Sequence, residues 1–143
     1  MLGTNLILVD ADALVGLINE VDLNHEKCLK ISDYLAQNSF ATITPYPIVL
    51  EAANALSRDT RINRPDLANI ILSNYDQPGS KPKIDEDVSA LVSESFSKNT
   101  SRKNTPFDHY LCALAKKNNI KYVFSFDSFY KKQGLVLAEE LIK

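Results

Sequence analysis

The segment LILVDADALVGL, residues 6–17, decides the fold. Four apolar, strand-favouring residues, Leu6 to Val9, run directly into Asp10, and Asp12 follows before apolar residues resume at helical spacing. The run reads as a buried central strand over 5–10, followed by a helix over about 12–20. An acid at the carboxyl end of such a strand stands where open α/β sheets bind ligands. Asp is also a favoured N-cap for the next helix. At Asp10 both readings stand.

Outward from this segment, strands and helices alternate. Leu23, Cys28, Ile31 and Leu35 mark a helix over about 24–38, and FATIT (40–44) is a short strand. TPYPIVLEAANAL begins a helix with Thr44 as N-cap and two prolines tolerated in its first turn. Another helix starts near Pro65. KPKID (81–85) is a weak strand, EDVSALVSESFS a helix, and SKNTSRKNT a polar, basic loop. TPFDHYLCALAKKNN is a strongly patterned helix. YVFSF is a strand, DSFYKK a helical turn, and LVLA a final edge strand. The alternation predicts an α/β layer with a mainly parallel sheet, and 143 residues predict a single domain over 1–143.

Composition narrows the function. Hydrophobic residues at 45% and charged residues at 24% are the mixture of a soluble globular protein, and no apolar run is long enough to span a bilayer. MLGTNLI has no basic leader, so the cytoplasm is the expected location. Cys28 and Cys112 form no CxxC pair, and two histidines cannot build a histidine-rich metal site. A net charge of −2 argues against a surface that grips nucleic acid throughout, although clusters around Arg61, Lys103 and Lys117 leave room for a local patch. Four scattered glycines cannot form a phosphate-cradling loop.

Three more acids occupy unusual positions. Asp127 ends YVFSFD and repeats the strand-then-acid pattern of Asp10, with Ser125 on the same side of its strand. Glu51 is the one charge between Pro45 and Arg58 and has no Lys or Arg at i±3 or i±4, so it reaches either water or a polar pocket. Thr105, Pro106 and Asp108 look like N-cap, N1 and N3 of a capping box, which leaves Asp108 free to project toward the sheet edge. Four carboxylates in one crevice repel unless a divalent cation joins them. Mg²⁺ and Mn²⁺ take oxygen ligands and suit phosphodiester hydrolysis.

The order VDADAL, TPYPIVLEAANAL, TPFDHYLCALAKK, FSFDSFYKK resembles the PIN-domain family, and more narrowly its VapC-type ribonuclease toxins. The resemblance spans nearly the whole chain. It implies a three-layer α/β domain whose mainly parallel central sheet is flanked by helices. It also implies a metal-dependent endoribonuclease in which Asp10, Glu51, Asp108 and Asp127 hold Mg²⁺ or Mn²⁺. Ser125 matches the hydroxyl residue preceding the last acid and is a candidate for binding the substrate. A homodimer, an RNA substrate and a covering antitoxin are implied partners. Arg102 and Lys103, in the basic loop, are candidates for tracking the RNA backbone. The chain departs from the family at Ala11 and Asp12. Asp12 is either a second acid of the first helical turn or a fifth carboxylate of the site. His109 is expected on the surface.

Two other readings compete. VDADAL also resembles the first motif of haloacid-dehalogenase-type phosphatases, with Asp10 as nucleophile and Asp12 as proton donor, but no GDxxxD-like segment follows. A PIN-like module that binds RNA or protein without cleaving is the third.

Overall fold

Side chains on successive strand residues point to opposite faces, and the apolar strands here bury both. The structure, a computed structural model, describes residues 5–77, 82–84, 86–98 and 103–143. In chain order the elements are β1 (Asn5–Val9), α1 (Ala11–Ile18), α2 (His25–Gln37), β2 (Phe40–Ile43), α3 (Tyr46–Arg58), α4 (Pro65–Asp76), α5 (Ser89–Lys98) and α6 (Pro106–Asn118). They are followed by β3 (Tyr122–Phe124), α7 (Phe129–Lys132), β4 (Val136–Leu137) and α8 (Ala138–Leu141). The strands form one sheet in the order β2-β1-β3-β4, and every pairing is parallel.

Leu8, Ile43, Val123 and Leu137 face a core built with α3, α4 and α6. Ile7, Val9 and Phe124 face a second core closed by Cys28, Ile31 and Leu35 of α2. The result is the expected three-layer α/β arrangement. Burying each such aliphatic side chain contributes roughly 1.5–3 kcal/mol, so these strands are fixed by their faces. Gly16 lets α2 close on α1, because a Cβ there would lie 2.6 Å from Cys28 Sγ.

This topology determines where the site lies. β1 and β3 are the central neighbours, and the Asp10 N–H donates to the Phe124 carbonyl at 3.0 Å. The ends of both strands therefore reach the same sheet edge together.

Three expectations are corrected. Pro82–Ile84 carry no strand, and residues 81 and 85 lie outside the described residues. Pro82 has no N–H for a ladder, and Lys83 lies instead over the Tyr75 ring. The cap position of α3 is Pro45 rather than Thr44, with Pro47 inside the first turn. His109 is not on the surface: it is 1% exposed, because α5 packs over that side of α6. A short α8 also follows the edge strand, where nothing in the pattern had indicated a helix.

Candidate active site

Asp10 has two duties. It is the N-cap of α1, its Oδ1 accepting the Ala11 N–H at 2.8 Å. Its Oδ2 accepts the Tyr130 hydroxyl at 2.8 Å and the Ser125 hydroxyl at 3.1 Å. Tyr130 is fully buried and also donates toward Asp108 Oδ1 at 3.2 Å, so one phenolic proton serves two carboxylates. Burial, then the charges of Asp10 and Asp108, push that phenol far above its ordinary range, and it remains a donor.

Asp108 completes the capping box at the start of α6, its Oδ2 accepting the Thr105 N–H at 2.9 Å. Asn104 Nδ2 bridges Asp108 Oδ2 at 3.3 Å and Asp127 Oδ2 at 3.2 Å. Asp127 Oδ1 accepts the Phe129 N–H at 2.9 Å, and the Asp127 N–H donates to Ser125 Oγ at 3.1 Å. The contacts close a ring: Asp10, Tyr130, Asp108, Asn104, Asp127, Ser125 and back to Asp10.

Asp12 resolves the alternative left open by its sequence position. It lies in the first turn of α1, and its Oδ2 accepts the Phe126 N–H at 2.9 Å and the Ser125 hydroxyl at 3.1 Å. It therefore belongs to the acid cluster, where it ties the end of β3 to α1. Its carboxyl is raised, mainly by desolvation, although the residue keeps a solvent-facing rim.

Glu51 stands apart from the ring. Its Oε1 is buried with no hydrogen-bond partner. Burial raises this carboxyl to about 8, and the charges of Asp10, Asp108 and Asp12 add to the effect. Asp10 is raised to about 7, first by burial and next by Asp12, against the lowering effect of Tyr130. In both carboxyls burial is the first cause, and the like charge of neighbouring acids adds to it.

The donor set is chemically suited to a hard divalent cation. It consists of carboxylates and includes one buried oxygen without a partner. Cys112, one turn beyond Asp108, stays a thiol: burial first, and then Asp108, Asp10 and Asp127, push it to about 12. Among the described residues, no three acidic, histidine or cysteine side chains form a ready-made metal site. Tyr130 and Asn104 instead lie between pairs of carboxylates.

The expected residues thus fall into groups. Asp10, Asp108 and Asp127 come together in one hydrogen-bonded ring, and Glu51 lies within the electrostatic reach of Asp10, Asp108 and Asp12. Ser125 is 1% exposed, with its hydroxyl engaged by two carboxylates. Lys103 is exposed beside Asn104, and Arg102 lies outside the described residues. Much of the remaining basic surface is neutralised, Arg61 by Asp59, Arg64 by Asp66 and Lys131 by Glu140. Tyr130 and Asn104 escaped sequence reasoning. Asn104 gave no signal within a polar loop, whereas Tyr130, three residues past Asp127 in a helical turn, could have been placed on the same side as that acid.

The phosphatase reading gains no support. Asp12 Oδ2 is occupied by a backbone N–H and a hydroxyl, which leaves it poorly placed as a proton donor. The loss-of-catalysis reading gains none either, since the acids converge.

No family model matches the sequence, and no curated protein is significantly similar to it. Solved structures do match. VapC20 of Mycobacterium tuberculosis, described as a toxin that cleaves the sarcin–ricin loop, superposes with a TM-score of 0.76 at 18% identity, over 91% of this chain and 96% of that one. PAE2754 of Pyrobaculum aerophilum superposes with a TM-score of 0.61 at 18% identity, over 99% and 94% of the two chains. With a fully parallel sheet and acids gathered at its carboxyl edge, the chain has a VapC-like PIN fold.

Proposed function

We propose that this chain is a metal-dependent endoribonuclease that hydrolyses RNA phosphodiester bonds as the toxin of a toxin–antitoxin pair. The observation that carries the reading is the buried, unpartnered Oε1 of Glu51 beside the charge of Asp10 and Asp108. A divalent cation would satisfy that oxygen and offset the like charge that surrounds it. The likeness to VapC20, a toxin described as cleaving the sarcin–ricin loop, supports RNA as the substrate class.

Asp10, Glu51, Asp108 and Asp127 would hold Mg²⁺ or Mn²⁺, directly or through water. When bound, such an ion supplies Lewis-acid polarisation of phosphoryl oxygens and activation of water. The remaining work falls to the chain itself. The Ala11 N–H and the Ser125 hydroxyl orient Asp10, and Phe126 and Ser125 restrain Asp12. In this reading Ser125 acts through the carboxylates, and Arg102 and Lys103 steady the RNA backbone. Homodimer formation and a covering antitoxin belong to the same proposal. Among the described residues, no helix is long and apolar enough to cross a membrane.

The test is cleavage of a panel of structured RNAs in Mn²⁺. Asp10→Asn and Asp108→Asn should each lower the rate by about 10²-fold or more, the size expected for removing a central electrostatic contact. Full activity in both variants would overturn the reading.

A further inference from the structure

Four acids delivered by four separate segments need something to set their spacing before any cation arrives. Asp10 follows β1, Asp108 lies in the first turn of α6, Asp127 follows β3, and Glu51 sits on α3. Mutual repulsion pushes such groups apart, and apolar packing behind them cannot fix the orientation of a carboxylate. Only directional contacts can, and beside the backbone N–H groups and Ser125, which hold single acids or the Asp10–Asp12 pair, two neutral donors link Asp108 to the acids on either side of it. Tyr130 Oη lies 2.8 Å from Asp10 and 3.2 Å from Asp108. Asn104 Nδ2 lies 3.3 Å from Asp108 and 3.2 Å from Asp127. Each donor joins two acids from different elements, and Asp108 is the shared member.

We infer that Tyr130 and Asn104 are positioning residues that brace Asp10, Asp108 and Asp127 at the spacing needed to act on one divalent cation, leaving Glu51 as the unbraced acid. The inference rests on the metal-dependent reading above and deepens it. Tyr130 is suited to the role because its ring is locked in the core beside Phe129, at a centroid distance of 5.5 Å. Its hydroxyl is therefore held in place by the packing of its ring. Asn104 is half-buried at the rim, so its brace is the weaker one. Donors that orient metal ligands from behind commonly set affinity by 10–100-fold when removed.

The experiment measures Mn²⁺ affinity by calorimetry for the unsubstituted protein, Tyr130→Phe, Asn104→Ala, Asp108→Asn and the double variant Tyr130→Phe/Asp108→Asn, with metal-free melting curves for each. Tyr130→Phe removes one oxygen and should weaken Mn²⁺ binding about 10–100-fold. In the Asp108→Asn background the same change should cost at most about 3-fold, because one end of the brace is already gone. Asn104→Ala should weaken binding about 3–10-fold. The chain has no Trp, so the long-wavelength edge of the near-ultraviolet absorbance, beyond the phenylalanine band, reports tyrosine. Adding Mg²⁺ should produce a tyrosine difference spectrum that disappears in Tyr130→Phe. Unchanged Mn²⁺ affinity in Tyr130→Phe, or an equal loss in both backgrounds, would overturn the brace. If Tyr130→Phe fails to melt cooperatively, Asn104→Ala decides, and unchanged affinity there overturns it. No Mn²⁺ binding to the unsubstituted protein would overturn the metal-dependent reading itself, a result distinct from failure of the brace.

Discussion

Asp108 and His109 are consecutive on α6, both are nearly fully buried, and each belongs to a different kind of corner. Asp108 enters a ring in which a capping N–H, a phenol and an amide all contact its two oxygens. His109 points into a box of apolar rings, 5.4 Å from Phe96 and 5.0 Å from Phe129 by ring centroids. Ser95 meets its Nδ1 at 2.6 Å, and Nε2 has no partner. Both corners leave a buried polar atom unsatisfied. On the acid side that atom is Glu51 Oε1, in a field of like charge. On the histidine side it is a ring nitrogen among aromatics. The first imbalance calls for a cation, whereas the second amounts to a modest packing compromise.

That contrast separates stability from chemistry and can be broken by mutation. His109→Ala removes the ring that joins α5 to α6 and should lower stability by about 2 kcal/mol in denaturant titrations. It should leave Mn²⁺ affinity within about 2-fold, an amount too small to assign to a lost ligand contact. A large loss of metal binding with an intact fold would mean that the two corners are not independent.

A smaller effect sharpens the acid side. Asp10 is raised to about 7 and Glu51 to about 8, both well above the ordinary carboxyl range. For acids raised on folding, the native state binds the extra protons, so their contribution is complete below the unfolded value near 4. It is lost as pH rises through the folded values. The metal-free protein should therefore melt lower at pH 9 than at pH 6, by about 4 °C or more. Glu51→Gln should flatten the upper part of that decline, since it removes the charge without breaking a hydrogen bond. Saturating Mn²⁺ should abolish the decline, because the cation favours the deprotonated acids. A melting temperature that rises from pH 6 to pH 9 in the metal-free protein would contradict the cluster's charge balance.

Much of the acid corner was legible in the sequence, and the physical reason lies in the strands. LILVD and YVFSFD are apolar runs cut by an acid, and parallel pairing of β1 with β3 brings their ends to one edge. Thr105 and Asp108 were legible as a capping box because that signature is local. Glu51 was legible by default, as a charge with no helical partner. The histidine corner was not legible. Its burial depends on α5, a helix with no fully buried residue of its own, settling over α6. No spacing within TPFDHYL announces that neighbour. His109 turns away from the acid ring, but the side it faces is covered by Ser95 and Phe96 of α5. Tyr130 was hidden in the opposite way: an aromatic three residues past an acid reads as core, and its hydroxyl acquires a role only once Asp10 and Asp108 are seen on either side of it.

The most direct test of the central claim is a calorimetric Mn²⁺ titration of the purified chain beside Asp10→Asn and Asp108→Asn, which requires no knowledge of the RNA. The account predicts saturable binding to the unsubstituted protein and loss or strong weakening in both variants, since the two acids share one site. Binding unaffected by either substitution, or no binding to the unsubstituted chain, would contradict it.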